Sequence, residues 1–135
     1  MRDALIVLGL ALFLLGLLTG LAVPAVKNPR MAVASHLQGM TNGPFLMLVG
    51  LLWPSLHLPG TWEVVAVCVL VYGTYANWLA TQLGALWGAG RRFAPGAAGD
   101  HLASPAQERI VDLLLITLAP AMLLGTALLI VGMLR

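Results

Sequence analysis

Long stretches of this chain run for twenty residues or more without an Asp, Glu, Lys or Arg, among them Ala4–Val23, Met31–Trp62 and Val64–Gly90. At 1.5 Å of rise per residue, even the shortest reaches about 30 Å as a helix, the thickness of one hydrocarbon core. The remaining residues do not compensate. Sixty per cent of the chain is hydrophobic and 9% is charged, against about 25% charged in a soluble domain. A water-facing surface cannot be built from this inventory, so the lipid bilayer is its main solvent. The expected fold is all-α, a single membrane-embedded domain over residues 1–135.

The punctuation places four transmembrane helices, at about residues 3–23, 31–53, 62–88 and 105–134. The first is read as a retained span, since its apolar run is longer than a typical signal-peptide core. Gly16 and Gly20 give it a notch for close helix packing. Pro24 and Pro29 break the chain, and Lys27 and Arg30 anchor the loop. Pro54, Pro59 and Gly60 close the second helix, which carries Pro44 inside and is expected to kink there. The third has one small and polar stripe, Gly73, Asn77, Thr81, Gly84 and Gly88, at steps of three and four. Ser104-Pro105-Ala106-Gln107 reads as an N-cap, a first-turn proline and a capping-box glutamine opening the fourth. Pro120 is expected to kink that helix. Cys68 is single and lies in an apolar run, which predicts a buried, inert thiol.

Charge gives orientation and excludes one class of partner. The seven Lys and Arg form no basic run interleaved with aromatics, so no nucleic acid is expected. Lys27, Arg30, Arg91, Arg92 and Arg109 lie on one side of the four spans, with Arg2 and Arg135 on the other. The positive-inside rule then puts the first and third loops in the cytoplasm. The expected location is the bacterial inner (cytoplasmic) membrane.

The second span is the most polar. It carries His36, Gln38, Thr41 and Asn42, with Gly39 and Gly43 forming a G-x-x-x-G pair. Polar side chains in a membrane helix are costly and mark a site by default. No serine sits in a nucleophile elbow, and no carboxylate lies in mid-membrane to couple protons. His36 is the strongest candidate, because a neutral imidazole is the commonest ligand for metals and haem iron. The glycines one and two turns below it would admit a flat macrocycle or another helix. An ordinary interfacial histidine above a helix-packing pair explains the same residues, and the residues alone leave both readings open. Asn42 and Asn77 are amides that need partners when buried, either a substrate or another helix. Opposed directions of the second and third helices put Asn42 and His36 near the level of Thr81 and Gln82, where they could meet in one cavity.

The run Ser35-His36-Leu37-Gln38-Gly39-Met40-Thr41-Asn42-Gly43 resembles the His-x5-Asn-Gly motif of bacterial styrene oxide isomerases, small four-helix membrane enzymes. Pro54-Ser55-Leu56, Asn77 and Leu118-Ala119-Pro120 extend the resemblance over most of the chain, although only the histidine motif is specific. Length and overall pattern are closer to a sister family, the hydroxylaminobenzene mutases, which isomerise hydroxylaminobenzene to 2-aminophenol in nitroarene metabolism. The resemblance implies haem b, with iron bound by His36 and acting as a Lewis acid beside Gly39 and Gly43. It implies a small aromatic substrate oriented by Asn42 and Asn77, and a homo-oligomer, a trimer in the related isomerases. Tyr75 is a third candidate; it or Tyr72 could supply a phenol from elsewhere. One departure stands out: the isomerases carry a catalytic tyrosine four residues after the third-span asparagine, and here that residue is Thr81. This favours the mutase over epoxide-to-aldehyde rearrangement. A non-enzymatic transporter or assembly subunit is the remaining alternative.

Overall fold

The computed structural model describes residues 1–135 and is entirely helical. Its helices are α1 (Arg2–Ala22), α2 (Pro29–Leu52), α3 (Gly60–Trp87), α4 (Pro95–Ala98) and α5 (Pro105–Met133). The four long helices begin and end within two residues of the expected positions. α4 is a single turn that the glycine-rich third loop concealed. Three helices, α1, α3 and α5, are long and apolar enough to cross a membrane, with mean hydropathies of 2.7, 1.5 and 2.4. α2 is the exception because its first half carries the polar residues.

Local chemistry explains the boundaries. Asn28 caps α2 by accepting from the Met31 N–H at 3.2 Å, and Pro29 follows at the first helical position. Pro29 therefore starts a helix where a loop breaker was expected, since its missing N–H is one that a first turn leaves unpaired anyway. The Ser104 capping box forms as the sequence predicts, with Ser104 N–H donating to Gln107 Oε1 at 2.9 Å. α3 stops at Gly88, whose φ of 76° is the left-handed conformation that ends helices. Pro44 and Pro120 lie inside α2 and α5 without interrupting either helix.

The helices pack in antiparallel sequence, α1 on α2, α2 on α3 and α3 on α5, with a lighter contact between α1 and α3. Glycine makes the first of these interfaces. A Cβ placed on Gly9 would lie 2.6 Å from the Gly43 carbonyl oxygen, and one on Gly16 would lie 2.8 Å from Gly39 Cα. Main chains that close exclude any side chain, which is the packing that small residues permit between membrane helices. α5 joins α3 through Gly73 against Met122 and Gly125 against Leu70. Its outer side, with Leu113, Leu123 and Ile130, is exposed. Cys68 is also exposed, not buried as its apolar surroundings predicted. An apolar run in a lipid-solvated helix does not say which side faces inward.

The interior is layered. Leu5, Leu12, Leu46, Val49, Trp53 and Leu70 belong to one apolar cluster toward the α2–α3 turn, and Met31, Ala32 and Ala85 form another at the opposite end. Between them lies a polar layer contributed by α1, α2 and α3.

Candidate functional site

The polar layer has two centres, each a glutamine carbonyl. Gln82 Oε1 lies 3.0 Å from Ser35 Oγ and 3.2 Å from Thr19 Oγ1, and accepts from both hydroxyls. Trp78 Nε1–H donates to the same Thr19 oxygen at 3.2 Å. This centre ties α1, α2 and α3 together, and Ser35 and Thr19 are buried in it. Gln38 is the second centre. Its Oε1 accepts from Asn42 Nδ2 at 3.2 Å and from Asn77 Nδ2 at 2.8 Å. The two candidate asparagines are thus joined, through a residue the sequence reading noted only as part of a polar helix. Its signal was available: Gln38 precedes Asn42 by four residues and so shares its face.

His36 belongs elsewhere. Its Nδ1 lies 2.8 Å from the Gly16 carbonyl oxygen of α1, and its ring covers Gly20. The N–H is then on Nδ1, since a carbonyl can only accept. Nε2 is left with its lone pair and has no protein partner. Only Glu108 Oε1 and Asp112 Oδ1 are sealed and unpaired in the protein, so Nε2 is reachable from outside. Six residues of helix separate His36 from Asn42 by about 120° around the axis. One therefore turns to α1 while the other turns to α3, and they do not meet in a cavity of one chain.

Two further expectations are corrected. Gly39 and Gly43 do not present bare backbone to a macrocycle, because the main chain of α1 at Gly16 and Gly9 occupies the space above them. The Tyr75 hydroxyl donates to the Leu8 carbonyl of α1 at 2.8 Å, which turns it away from the asparagines. Asp112 is not near the polar layer; it faces Arg92 at 3.9 Å, beside the third loop. Thr81, at the position of the isomerases' tyrosine, bonds back to the Asn77 and Trp78 carbonyls of its own helix at 3.0 and 2.9 Å.

The arrangement offers one unpaired imidazole nitrogen and, around the helix, a cluster of three joined amides. A hydrogen bond from the far ring nitrogen to a carbonyl is the usual support of a metal-binding histidine, since it fixes tautomer and ring orientation. None of the three cavities, the largest about 540 Å³ and lined by the start of α2 and the third loop, with Arg30 and His101, is lined by His36, Asn42 or Asn77.

Comparison with known proteins matches this architecture to a defined group. The chain is 58% identical to hydroxylaminobenzene mutase HabA of Ectopseudomonas oleovorans over 135 residues, the full length of both. It is 50% identical to hydroxylaminobenzene mutase HabB of the same organism over 129 residues, covering 96% of this chain and 79% of the relative. No solved structure matches it significantly. The family model described as styrene oxide isomerase matches residues 1–134, and the chain belongs to that family.

Proposed function

We propose that this chain is a membrane isomerase that converts hydroxylaminobenzene to 2-aminophenol. The observation that carries the reading is His36, a histidine whose Nδ1–H is held by the Gly16 carbonyl while Nε2 stays free and reachable. Both relatives are named for the same activity, which supports the substrate. Thr81 also supports the mutase over epoxide opening. It supplies no phenol, and its hydroxyl is engaged by its own helix.

The donor set fits haem b in one respect and restricts it in another. His36 Nε2 is a neutral imidazole donor of the kind that holds haem iron. The glycine face below it is filled by α1, so a porphyrin would lie against the outside of one chain and be enclosed by another copy. This favours a homo-oligomer, and the family resemblance favours a trimer. Haem iron held there would supply a Lewis acid toward the N-hydroxyl oxygen. The protein's own contribution is orientation by Asn42 and Asn77 and exclusion of water by the surrounding bilayer. The reaction balances without a second reactant: the N–O bond breaks, a C–O bond forms at the ortho carbon, and the proton lost there is matched by one gained at nitrogen.

The membrane reading is carried further in the same proposal. α2 has 24 residues, about 36 Å of helix, and it pairs with α1 along its length. It therefore serves as a fourth span despite its polarity. The inner membrane is the proposed location, with the first and third loops in the cytoplasm.

The test is to purify the protein in mild detergent, record its Soret spectrum, and follow 2-aminophenol formation from hydroxylaminobenzene. A Soret band and turnover are expected, with both lost in His36→Ala. Full turnover from protein that carries no haem would overturn the iron chemistry. Absence of turnover from protein that carries haem would overturn the substrate.

A further inference from the structure

We propose that Gln38 sets the polarity of the substrate site, so that the site selects an arylhydroxylamine bearing both an N–H and an O–H donor. This rests on the function proposed above and names the feature of the substrate that is recognised. Gln38 Oε1 accepts one amide N–H from Asn42 at 3.2 Å and one from Asn77 at 2.8 Å. A carbonyl oxygen has two lone pairs, so Gln38 Oε1 is saturated by the pair. Each asparagine therefore turns its NH₂ toward Gln38 and its Oδ1 away. Neither Oδ1 has a partner, and neither is among the sealed unpaired atoms of the protein. Both carbonyl oxygens are reachable acceptors at membrane depth.

Hydrocarbon has no donor to offer them, and an unpaired carbonyl in lipid is costly. A hydroxylamino group presents two donors on adjacent atoms, one for each oxygen. An epoxide presents only an acceptor and would face like polarity at both asparagine oxygens. Had the three amides been turned end for end, the site would present two donors outward and would prefer the epoxide. The hydrogen-bond direction at Gln38 thus separates two chemistries that this family's members divide between them. Gln38 does not touch the substrate; it is a positioning residue acting through Asn42 and Asn77.

The experiment compares hydroxylaminobenzene with its N-methyl derivative, in which the N–H donor is gone, in the purified enzyme and three variants. Wild type should favour the N–H substrate in kcat/KM by at least about tenfold, one lost hydrogen bond to an acceptor that lipid cannot satisfy. Gln38→Glu keeps the acceptor and should retain both rate and preference to within about threefold. Gln38→Met keeps the volume without polar atoms; its preference should collapse toward unity while the Soret band and melting temperature stay unchanged. Gln38→Lys offers donors only and should be the poorest. Equal use of both substrates by wild type, an unaffected Gln38→Met, or activity kept by Gln38→Lys and lost by Gln38→Glu would each overturn the proposal. A second arm needs no turnover. Titration calorimetry should show 2-aminophenol, with both donors, binding at least about tenfold more tightly than N,N-dimethylaniline, with none, and Gln38→Met should lose that preference. Binding discrimination without turnover would sink the proposed reaction and keep the polarity; turnover without discrimination would do the reverse.

Discussion

A single methyl group at Gly16 tests both the packing and the site. Its Cβ would stand 2.8 Å from Gly39 Cα, 2.9 Å from the Gly39 carbonyl carbon and 3.0 Å from Met40 N. All three are backbone atoms and cannot rotate away. Carbon atoms rest at about 3.5 Å or more, so α1 and α2 must separate locally by about 0.7 Å. Overpacking of this kind costs about 1–3 kcal/mol. The separation also lengthens the bond from His36 Nδ1–H to the Gly16 carbonyl, now 2.8 Å, toward the limit of about 3.5 Å, losing about 0.5–1.5 kcal/mol. Gly16→Ala should therefore lose about 1.5–4.5 kcal/mol in all. The measurement is reversible unfolding in mixed micelles of rising SDS fraction, followed by circular dichroism, with the Soret band recorded in parallel. Gly60→Ala is the control: it lies in the first turn of α3 with nothing within 4 Å of the added carbon, and should be neutral or slightly stabilising. If Gly16→Ala unfolds with the wild-type midpoint, α1 and α2 do not touch through their glycines, and the assignment of Gly39 and Gly43 to packing fails with it.

Two other substitutions separate structure from chemistry. Asn28 is 1% exposed, caps α2 and donates to the Ala97 carbonyl at 2.9 Å, so Asn28→Ala should cost about 2–3 kcal/mol in the same unfolding assay while leaving kcat within about twofold. Tyr75→Phe removes the bond to the Leu8 carbonyl and should cost about 0.5–1 kcal/mol, since that carbonyl keeps its place in the helix; a tenfold fall in kcat would restore Tyr75 as a residue that acts on the substrate.

Much of the candidate site was legible because its signals are local. Polar residues in an apolar run are conspicuous, and His36, Asn42 and Asn77 were each named from that contrast. What they do with one another was less legible. His36 and Asn42 share a helix and a level, and a shared cavity follows if level alone is considered. The 120° between them decides otherwise, since α1 and α3 approach α2 from different directions. Gln38 passed as background polarity because an amide gains meaning only when its partners are known. Tyr75 was a candidate only as a phenol that could reach the substrate from elsewhere, and its hydroxyl reaches across to α1 instead.

The four long helices, their caps and the lipid environment were determined by the sequence itself. Helix formation, capping by Ser104 and termination near Gly88 depend on neighbours a few residues away, and burial in lipid depends on composition. Tertiary structure alone decided which faces meet. A helix apolar on nearly every side carries no stripe to mark its inner face, and glycine reads the same whether it admits a porphyrin or another backbone. Here it admits α1, and that close approach is what brings the Gly16 carbonyl to His36 and leaves Nε2 free.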